Sequence, residues 1–186
     1  MTAFADIAIV VLAAGMSTRF GSDKLMVQLE GIPLGLHIGK TISPMGFGWR
    51  YVICGADSAL SAHYAALGFT IIPNDRAEAG QAHSLHLAVQ AVSATPASAL
   101  MVTLADMPFV PATHIDRVAR TGVLACSYNG NAVMPPALFP RDSWPDLRTT
   151  SGDRGAAALL KSALKIETAS NMLRDIDTPA DLPASK

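Results

Sequence analysis

The sequence predicts an α/β fold, a three-layer sandwich in which helices cover both faces of a mostly parallel, mixed central sheet. Apolar, β-branched segments alternate with helical segments through the first half of the chain, and such alternation with short loops is typical of parallel sheets. The segments at 7–12 and 99–104 are almost uninterruptedly apolar, as expected of strands buried on both faces. Asn129-Gly130 is a hairpin dipeptide, so the chain returns antiparallel and the sheet is mixed.

The predicted elements follow in chain order. We predict strands at residues 7–12, 26–29, 49–54, 69–72, 99–104, 123–128 and 132–134. We predict helices at residues 34–43, 56–67, 81–92, 111–120 and 157–164, the last capped by Ser151 or Asp153. Two extended pieces at 165–168 and 172–174 precede a final turn, in which Thr178 and Asp181 form a capping box.

Composition narrows the class of protein. With 186 residues and 50% hydrophobic content, the chain has the size of one well-buried domain. A net charge of −1 gives no sign of a nucleic-acid partner. The early apolar run at 7–14 is far shorter than the ~20 residues that span a bilayer, and no signal peptide is recognisable. Cys54 and Cys126 are too few for a disulfide framework, which predicts buried thiols and a cytoplasmic location.

The segment after the first strand has the features of an anion site. Ala13, Ala14 and Gly15 have little or no side chain, so their backbone can approach a ligand closely, and Gly15 can take a positive φ. The polar residues that follow are Ser17, Thr18, Arg19 and Lys24. Small residues at the end of a strand, followed by a cationic loop, suit a polyphosphate. The spacing matches neither the P-loop nor the dinucleotide fingerprint.

Carboxylates mark a candidate metal site. Asp106 lies two residues after the central strand at 99–104 ends, where a carboxylate without a partner would be costly to bury. Mg²⁺ removes that cost, because it typically binds one or two carboxylates together with substrate phosphates. Asp175 and Asp177 lie two residues apart in an extended piece and therefore point to one side. The three carboxylates together form a candidate metal site.

A predicted helix N-terminus lies near the same edge of the sheet. Residues 80–85 begin the helix at 81–92, and its first N–H groups can bind an anion or a base. His83 and His86 are three residues apart, which is compatible with a metal pair. The preferred interpretation is two solvated or capping histidines, because no third ligand lies nearby in the sequence.

Four motifs, in this order, resemble those of the molybdenum cofactor cytidylyltransferase family, within the nucleotide-diphospho-sugar transferase superfamily. They are Leu-Ala-Ala-Gly-x-Ser-x-Arg-x-Gly-x-x-Lys-Leu at 12–25, Leu-Ala-Asp-x-Pro at 104–108, Ser-Gly-Asp-x-Gly-Ala at 151–156 and Asp-Ile-Asp-Thr-Pro-x-Asp-Leu at 175–182. The resemblance covers nearly the whole chain. It implies a single domain, 1–186, with a nucleotide-binding half at about 1–105 and an acceptor-binding half at about 106–186.

The resemblance also implies the site residues. The nucleotide would be bound by Leu12, Ala13, Ala14, Gly15, Ser17, Arg19, Lys24, Gly80 and Ser84. Catalytic roles would fall to Arg19, Lys24 and Asp106, a Mg²⁺ site to Asp106 and Asp177, and acceptor binding to Pro136, Asp153 and Arg154. The chain has His83 where the family usually has a small residue, and Met134 where it has glycine.

By the same resemblance, the activity would be transfer of a cytidylyl group from CTP to the phosphate of molybdopterin, with release of pyrophosphate. Family members hand their product to partner enzymes, which implies a molybdenum hydroxylase as partner. The preference for CTP rests on Ala14, since the related guanylyltransferases usually have a second glycine there. The alternatives are a guanylyltransferase, a sugar-1-phosphate nucleotidyltransferase of the same fold, and a non-catalytic chaperone that delivers cofactor to a molybdoenzyme. A nicotinamide oxidoreductase is a further class, but the glycine fingerprint of that class is absent from this sequence.

Overall fold

A computed structural model describes residues 3–15, 23–152 and 156–183. The strands are β1 Ile7–Ala13, β2 Gln28–Leu29, β3 Ile32–Pro33, β4 Trp49–Cys54, β5 Thr70–Pro73, β6 Ala99–Leu104, β7 Ala125–Tyr128, β8 Val133–Pro140 and β9 Leu164–Glu167. The helices are α1 His37–Ile42, α2 Leu60–Ala66, α3 Gln81–Ser93, α4 Ala112–Ala119, α5 Trp144–Leu147 and α6 Ala157–Leu160. Short 3₁₀ helices include Lys24–Met26, Ser170–Leu173 and Pro179–Asp181.

The central sheet has the strand order β5-β4-β1-β6-β8-β7-β9. Strand β8 runs antiparallel to both of its neighbours, and the other pairs are parallel. The predicted mostly parallel, mixed sheet is therefore confirmed. The reversal occurs at the predicted turn, where Gly130 has a φ of 90° and the Asn129 side chain accepts N–H bonds from Asn131 and Ala132. The division of the chain into two halves at about residue 105 stays a prediction.

The three layers follow from the alternation of side chains along β1. Ile7, Ile9 and Val11 belong to a buried cluster that includes residues of α1, α2 and α4. Ala8 and Val10, on the opposite face, belong to a second cluster that includes residues of α3, α5 and α6. Every residue of β1 is buried, which explains why this strand is apolar without alternation.

Several predicted boundaries differ from the observed ones. The helix predicted at 34–43 contains only one α-helical segment, α1, flanked by 3₁₀ turns. The helix predicted at 157–164 ends at Leu160, because the N–H of Leu164 donates to the carbonyl of Leu124 and begins β9. Its N-cap is Ala156, with no side-chain cap, so capping by Ser151 is wrong. The piece predicted as extended at 172–174 lies mostly within a 3₁₀ helix.

Two bulk predictions can be compared with the structure. Cys54 and Cys126 are both buried and unpaired, as predicted. Within the ranges that the structure describes, no helix has the length and apolar character needed to cross a bilayer.

A buried polar chain joins α4 to the two strands of the hairpin. The Ser127 hydroxyl donates to the carbonyl of Pro136 at 2.9 Å, and His114 Nε2 lies 2.7 Å from the same hydroxyl oxygen. Because that hydroxyl has only one proton, Nε2 must carry the proton of the imidazole. Among the described residues, Nδ1 has no hydrogen-bond partner. Burial, together with a smaller effect of the nearby charge of Arg117, lowers the pKa of His114 to about 4.

This histidine predicts a pH dependence of stability. Its pKa is about 4 when folded and 6.5 when exposed, so the unfolded chain binds more protons between these values. The free energy of unfolding should therefore fall as the pH drops from 6.5 towards 4. His114→Gln keeps an N–H donor but does not titrate, so it should lose less stability than the wild type between about pH 7.5 and about pH 5. Urea unfolding at both pH values measures the difference, and equal losses would contradict the prediction.

Candidate active site

The candidate site lies at the carboxyl ends of the two central parallel strands. Strands β1 and β6 pair with Leu12 opposite Leu104, and the N–H of Ala105 donates to the carbonyl of Leu12 at 3.0 Å. The segments that follow the two strands therefore begin side by side. Ligands of open α/β sheets bind at this edge.

The C-terminal segment reaches the same place through Ile176. Its side chain is fully buried in a small cluster with Leu29 and Leu34, and its N–H donates to the carbonyl of Asp106 at 3.0 Å. Residues 174–177 form no strand, so the predicted strand alternation does not orient Asp175 and Asp177. The buried isoleucine and its backbone hydrogen bond hold Asp177 beside Asp106 instead.

Lys24 lies between the two carboxylates. Its Nζ donates to Asp106 Oδ2 at 2.8 Å and to Asp177 Oδ1 at 2.9 Å. The exposed fractions of the three side chains are 11% for Lys24, 23% for Asp106 and 45% for Asp177, so the ammonium is the most enclosed of the three groups. Burial by itself would lower the pKa of Lys24, but the carboxylates of Asp106 and Asp177 outweigh it and raise the pKa above its ordinary value.

Asp175 adds negative charge to this group without completing a three-carboxylate site. Partial burial raises the pKa of the Asp175 carboxyl, and the negative charges of Asp177 and Asp106 raise it further. In the part of the chain that the structure describes, no three metal-ligating side chains converge. The predicted three-aspartate site is therefore wrong. Asp106 and Asp177 are the two carboxylates that contact the same nitrogen, Lys24 Nζ.

The Asp106–Asp177 pair suits a divalent cation. One oxygen of each carboxylate lies within hydrogen-bond distance of the same cationic nitrogen, so a single small cation can reach both. Two carboxylates, with further ligands from phosphates and water, are a typical ligand set of Mg²⁺. The residues present thus fit the predicted metal.

A capping box orients Asp177. Asp181 Oδ2 accepts hydrogen bonds from the N–H groups of Asp177 and Thr178 and from the Thr178 hydroxyl, at 3.1, 2.7 and 2.8 Å. The capping box predicted from the sequence is present. The hydrogen bonds from Thr178 hold the pKa of Asp181 below its usual value. Asp181 is therefore a positioning residue for the carboxylate at 177.

We expect Asp181→Ala to weaken Mn²⁺ binding about 10–100-fold, the usual effect of removing a group that orients a metal ligand. The reason is that the backbone of Asp177 loses its acceptor, while both carboxylates of the pair remain. Loss of Mn²⁺ from solution, followed by electron paramagnetic resonance, measures the affinity. Asp142→Ala removes an exposed aspartate from another short helix and serves as the control. Equal Mn²⁺ affinities of the two variants would contradict the positioning role.

The start of α3 is supported by Asn74, a residue that the sequence analysis did not single out. Gly80 precedes the helix with φ 82° and ψ −179°, a conformation essentially restricted to glycine. Ser84 is buried, and its hydroxyl oxygen accepts from Asn74 Nδ2 at 3.0 Å. Asn74 is buried too, and its N–H donates to the carbonyl of Cys54. An asparagine directly after a strand, at the carboxyl edge, was the available signal.

The motif at 151–156 contacts the same helix start. The carbonyl of Gly152 accepts from the N–H of Ala82 at 3.1 Å, and Thr150 Oγ1 lies 3.4 Å from His86 Nε2. His86 therefore has a polar partner in the segment that precedes the motif, and the interpretation of His83 and His86 as solvated or capping histidines stays a prediction. The contact brings the second half of the chain onto the helix that the resemblance assigns to the base.

The other predicted site residues divide into two groups. Leu12 and Ala13 are buried, Ala14 is half-buried, and Gly15 is exposed, where an added Cβ would meet no atom of the described residues within 4 Å. The φ of Gly15 is outside the left-handed region. Pro136 is buried in β8, beyond the pairing of Ala137 with Val102 and so towards the same sheet edge as Asp106. Ser17, Arg19, Asp153 and Arg154 lie outside the described residues.

A mostly parallel sheet of this order, with helices on both faces, is the fold of nucleotidyltransferases of the nucleotide-diphospho-sugar transferase type. Residues 9–168 match the MobA-like NTP transferase domain. The chain belongs to this family.

Two curated relatives resemble the chain over most of its length. Purine catabolism protein PucB of Bacillus subtilis is 31% identical over 189 residues, covering 92% of each chain. Molybdenum cofactor guanylyltransferase of Shewanella sediminis is 28% identical over 145 residues, covering 75% of this chain and 69% of its own. The predicted nucleotidyltransferase class is thus confirmed, at a level coarser than the choice of base.

Among solved structures, Rv0371c of Mycobacterium tuberculosis has a TM-score of 0.82 and 24% identity, covering 97% of this chain and 96% of its own. A structure of Rv0371c in complex with manganese has a TM-score of 0.77 and 22% identity, covering 94% and 95%. At this identity the likeness supports the fold alone.

Proposed function

We propose that this protein transfers a nucleotidyl group from a nucleoside triphosphate to the phosphate of molybdopterin, releasing pyrophosphate, and that CTP is the donor. The observation that carries the proposal is the group formed by Lys24, Asp106 and Asp177 at the carboxyl edge of β1 and β6. It combines a cation for phosphate with a carboxylate pair for a metal, next to backbone that a nucleotide can approach.

In this proposal the donor lies against residues 12–15 and the start of α3. Leu12 and the half-buried Ala14 belong to the cluster that also contains Leu85 of α3, so strand end and helix form one wall. Ala13 and Gly15 contribute backbone. Gly80 and Ser84 are proposed to contact the base.

The phosphates are proposed to meet the cationic side of the site. Ser17 and Arg19 belong to the same motif as Lys24, and both cations are assigned to the β- and γ-phosphates. Mg²⁺ bound by Asp106 and Asp177 would supply charge neutralisation at the α- and β-phosphates. The negative charge that Asp175 adds strengthens attraction of a divalent cation.

The acceptor side requires little covalent chemistry from the protein. The phosphate of molybdopterin is already ionised near pH 7, so no general base is needed. Its oxygen attacks the α-phosphorus in line, a new P–O bond forms, and the bond to the departing pyrophosphate breaks. Pro136, Asp153 and Arg154 are assigned to the acceptor, and the contact of Gly152 with Ala82 supports a place for the 151–156 motif beside the nucleotide.

Guanylyl transfer is the second candidate, because the Shewanella relative is named a guanylyltransferase. Ala14 favours CTP, since its methyl narrows the site for a purine. The carboxylate pair with its lysine favours catalysis over a purely carrier role. A cytoplasmic location, with a molybdenum hydroxylase as receiver of the product, completes the proposal.

A pyrophosphate-release assay tests the activity. CTP, GTP, ATP and UTP are each supplied with Mg²⁺, with and without molybdopterin. The proposal predicts release that requires molybdopterin and is fastest with CTP. Fastest release with GTP would replace the cytidylyl assignment by the guanylyl one. Pyrophosphate release at the same rate with and without molybdopterin would show that molybdopterin is not the acceptor.

Base choice predicts the effect of Ala14→Gly. Removing this methyl should shift the ratio of kcat/KM towards GTP by the equivalent of about 1–3 kcal/mol, the usual value of one methyl in a pocket. Ala65→Gly is the matched control, because it removes the same methyl group from an exposed position of α2. Melting curves accompany the kinetics, since a new glycine lowers stability through backbone entropy. An unchanged ratio would move selectivity to the start of α3.

A further inference from the structure

The ammonium of Lys24 occupies the position in the site that the proposed metal would need. Lys24 Nζ contacts an oxygen of Asp106 and an oxygen of Asp177. These are the two carboxylates that the proposed function assigns to the metal. An ammonium and a divalent cation cannot both occupy the space between the two oxygens, because their charges repel at contact distance.

The backbone of Lys24 is fixed while its ammonium can move. Asp23 caps the short 3₁₀ helix by accepting from the N–H of Leu25, and Leu25 itself is buried in the core. A lysine, however, carries its charge on a flexible four-carbon stem. The charge can therefore leave the carboxylates without any change of the fold.

The charges of the site favour such a departure when a stronger cation arrives. The carboxylates of Asp106 and Asp177 both contact the ammonium of Lys24, and the nearby Asp175 adds negative charge to the site. A divalent ion carries twice the charge of the ammonium, so it offsets more of this negative charge. A nucleotide would offer the displaced ammonium new anionic partners, since charge-assisted contacts to phosphate are strong.

We infer that Lys24 and the divalent metal exchange places on Asp106 and Asp177. Without nucleotide the lysine neutralises the carboxylate pair and opposes metal binding. When nucleotide and metal enter, the ammonium leaves the carboxylates for the phosphates and the metal takes its position. The inference rests on the proposed function for the identity of the two ligands, and it makes Lys24 a gate for metal loading as well as a phosphate contact.

The test measures Mn²⁺ binding to nucleotide-free protein by electron paramagnetic resonance. We expect Lys24→Met to bind Mn²⁺ at least about tenfold more tightly than the wild type, because a competing charge has been removed. Lys24→Arg keeps the charge and should keep the weak binding. Lys40→Met removes an exposed lysine of α1 and should match the wild type. Lys24→Met combined with Asp106→Asn should lose the gain.

The outcomes separate the two claims. If Mn²⁺ binding depends on Asp106 but Lys24→Met leaves it unchanged or weaker, the exchange is wrong and the metal site stands. If no variant binds Mn²⁺ in a way that depends on Asp106, the metal assignment of the proposed function fails, and the exchange fails with it. Circular dichroism melting of each variant establishes that it is folded. Should Lys24→Met be unfolded, Lys24→Gln removes the same charge with a polar side chain and takes its place.

Discussion

Asp106→Asn is expected to abolish measurable nucleotidyl transfer while the protein stays folded. The variant removes one carboxylate of the proposed metal pair, and loss of a ligand should reduce the rate by at least about a hundredfold, since losing a group that merely supports a ligand already costs 10–100-fold. The backbone links that build the site, from Ala105 to Leu12 and from Ile176 to Asp106, do not involve this side chain. Stability should fall by only about 1–2 kcal/mol, from one weakened contact to a charged group.

Pyrophosphate release and thermal melting measure the two effects of Asp106→Asn separately. Asp116→Asn is the matched control, because Asp116 pairs with Arg120 on the exposed side of α4. Such surface pairs contribute little to stability, and we expect the control to keep full activity. A Mg²⁺-dependent rate of Asp106→Asn equal to that of the wild type would exclude Asp106 from the metal site.

Lys24→Met is expected to weaken binding of CTP far more than binding of CMP. One charge-assisted contact to phosphate contributes roughly 1.5–3 kcal/mol, which corresponds to about one to two decades in affinity. The contact is proposed to involve the β- and γ-phosphates, which CMP lacks. The same variant should bind Mn²⁺ more tightly without nucleotide, so the two ligands respond in opposite directions.

Titration of CTP and CMP by calorimetry, with wild type and Lys40→Met beside the variant, measures this difference. Equal losses for the two nucleotides would place Lys24 away from the terminal phosphates. That result would leave its contacts to Asp106 and Asp177 as its whole role. Tighter binding of Mn²⁺ together with weaker binding of CTP is hard to explain by a general loss of structure, which would weaken the binding of both ligands.

Much of the fold was determined by the sequence itself. Strands buried on both faces must be apolar throughout, which marked β1 and β6. The Asn129-Gly130 turn marked the antiparallel return. Helix ends were less predictable. Leu164 was predicted to end a helix but begins β9, because the backbone of this strand forms its hydrogen bonds with β7. Strand β7 is distant in the sequence, so local residues did not predict this pairing.

The sequence also predicted the candidate site residues, because small residues, cations and carboxylates stand at the ends of predicted strands. Only the tertiary structure decided how they meet. Asp177 comes beside Asp106 through the buried Ile176, not through strand alternation. Asn74 supports Ser84 from a neighbouring strand end. Above all, Lys24 lies between the two carboxylates, because the packing of distant segments, rather than any local pattern, sets which opposite charges come within contact distance.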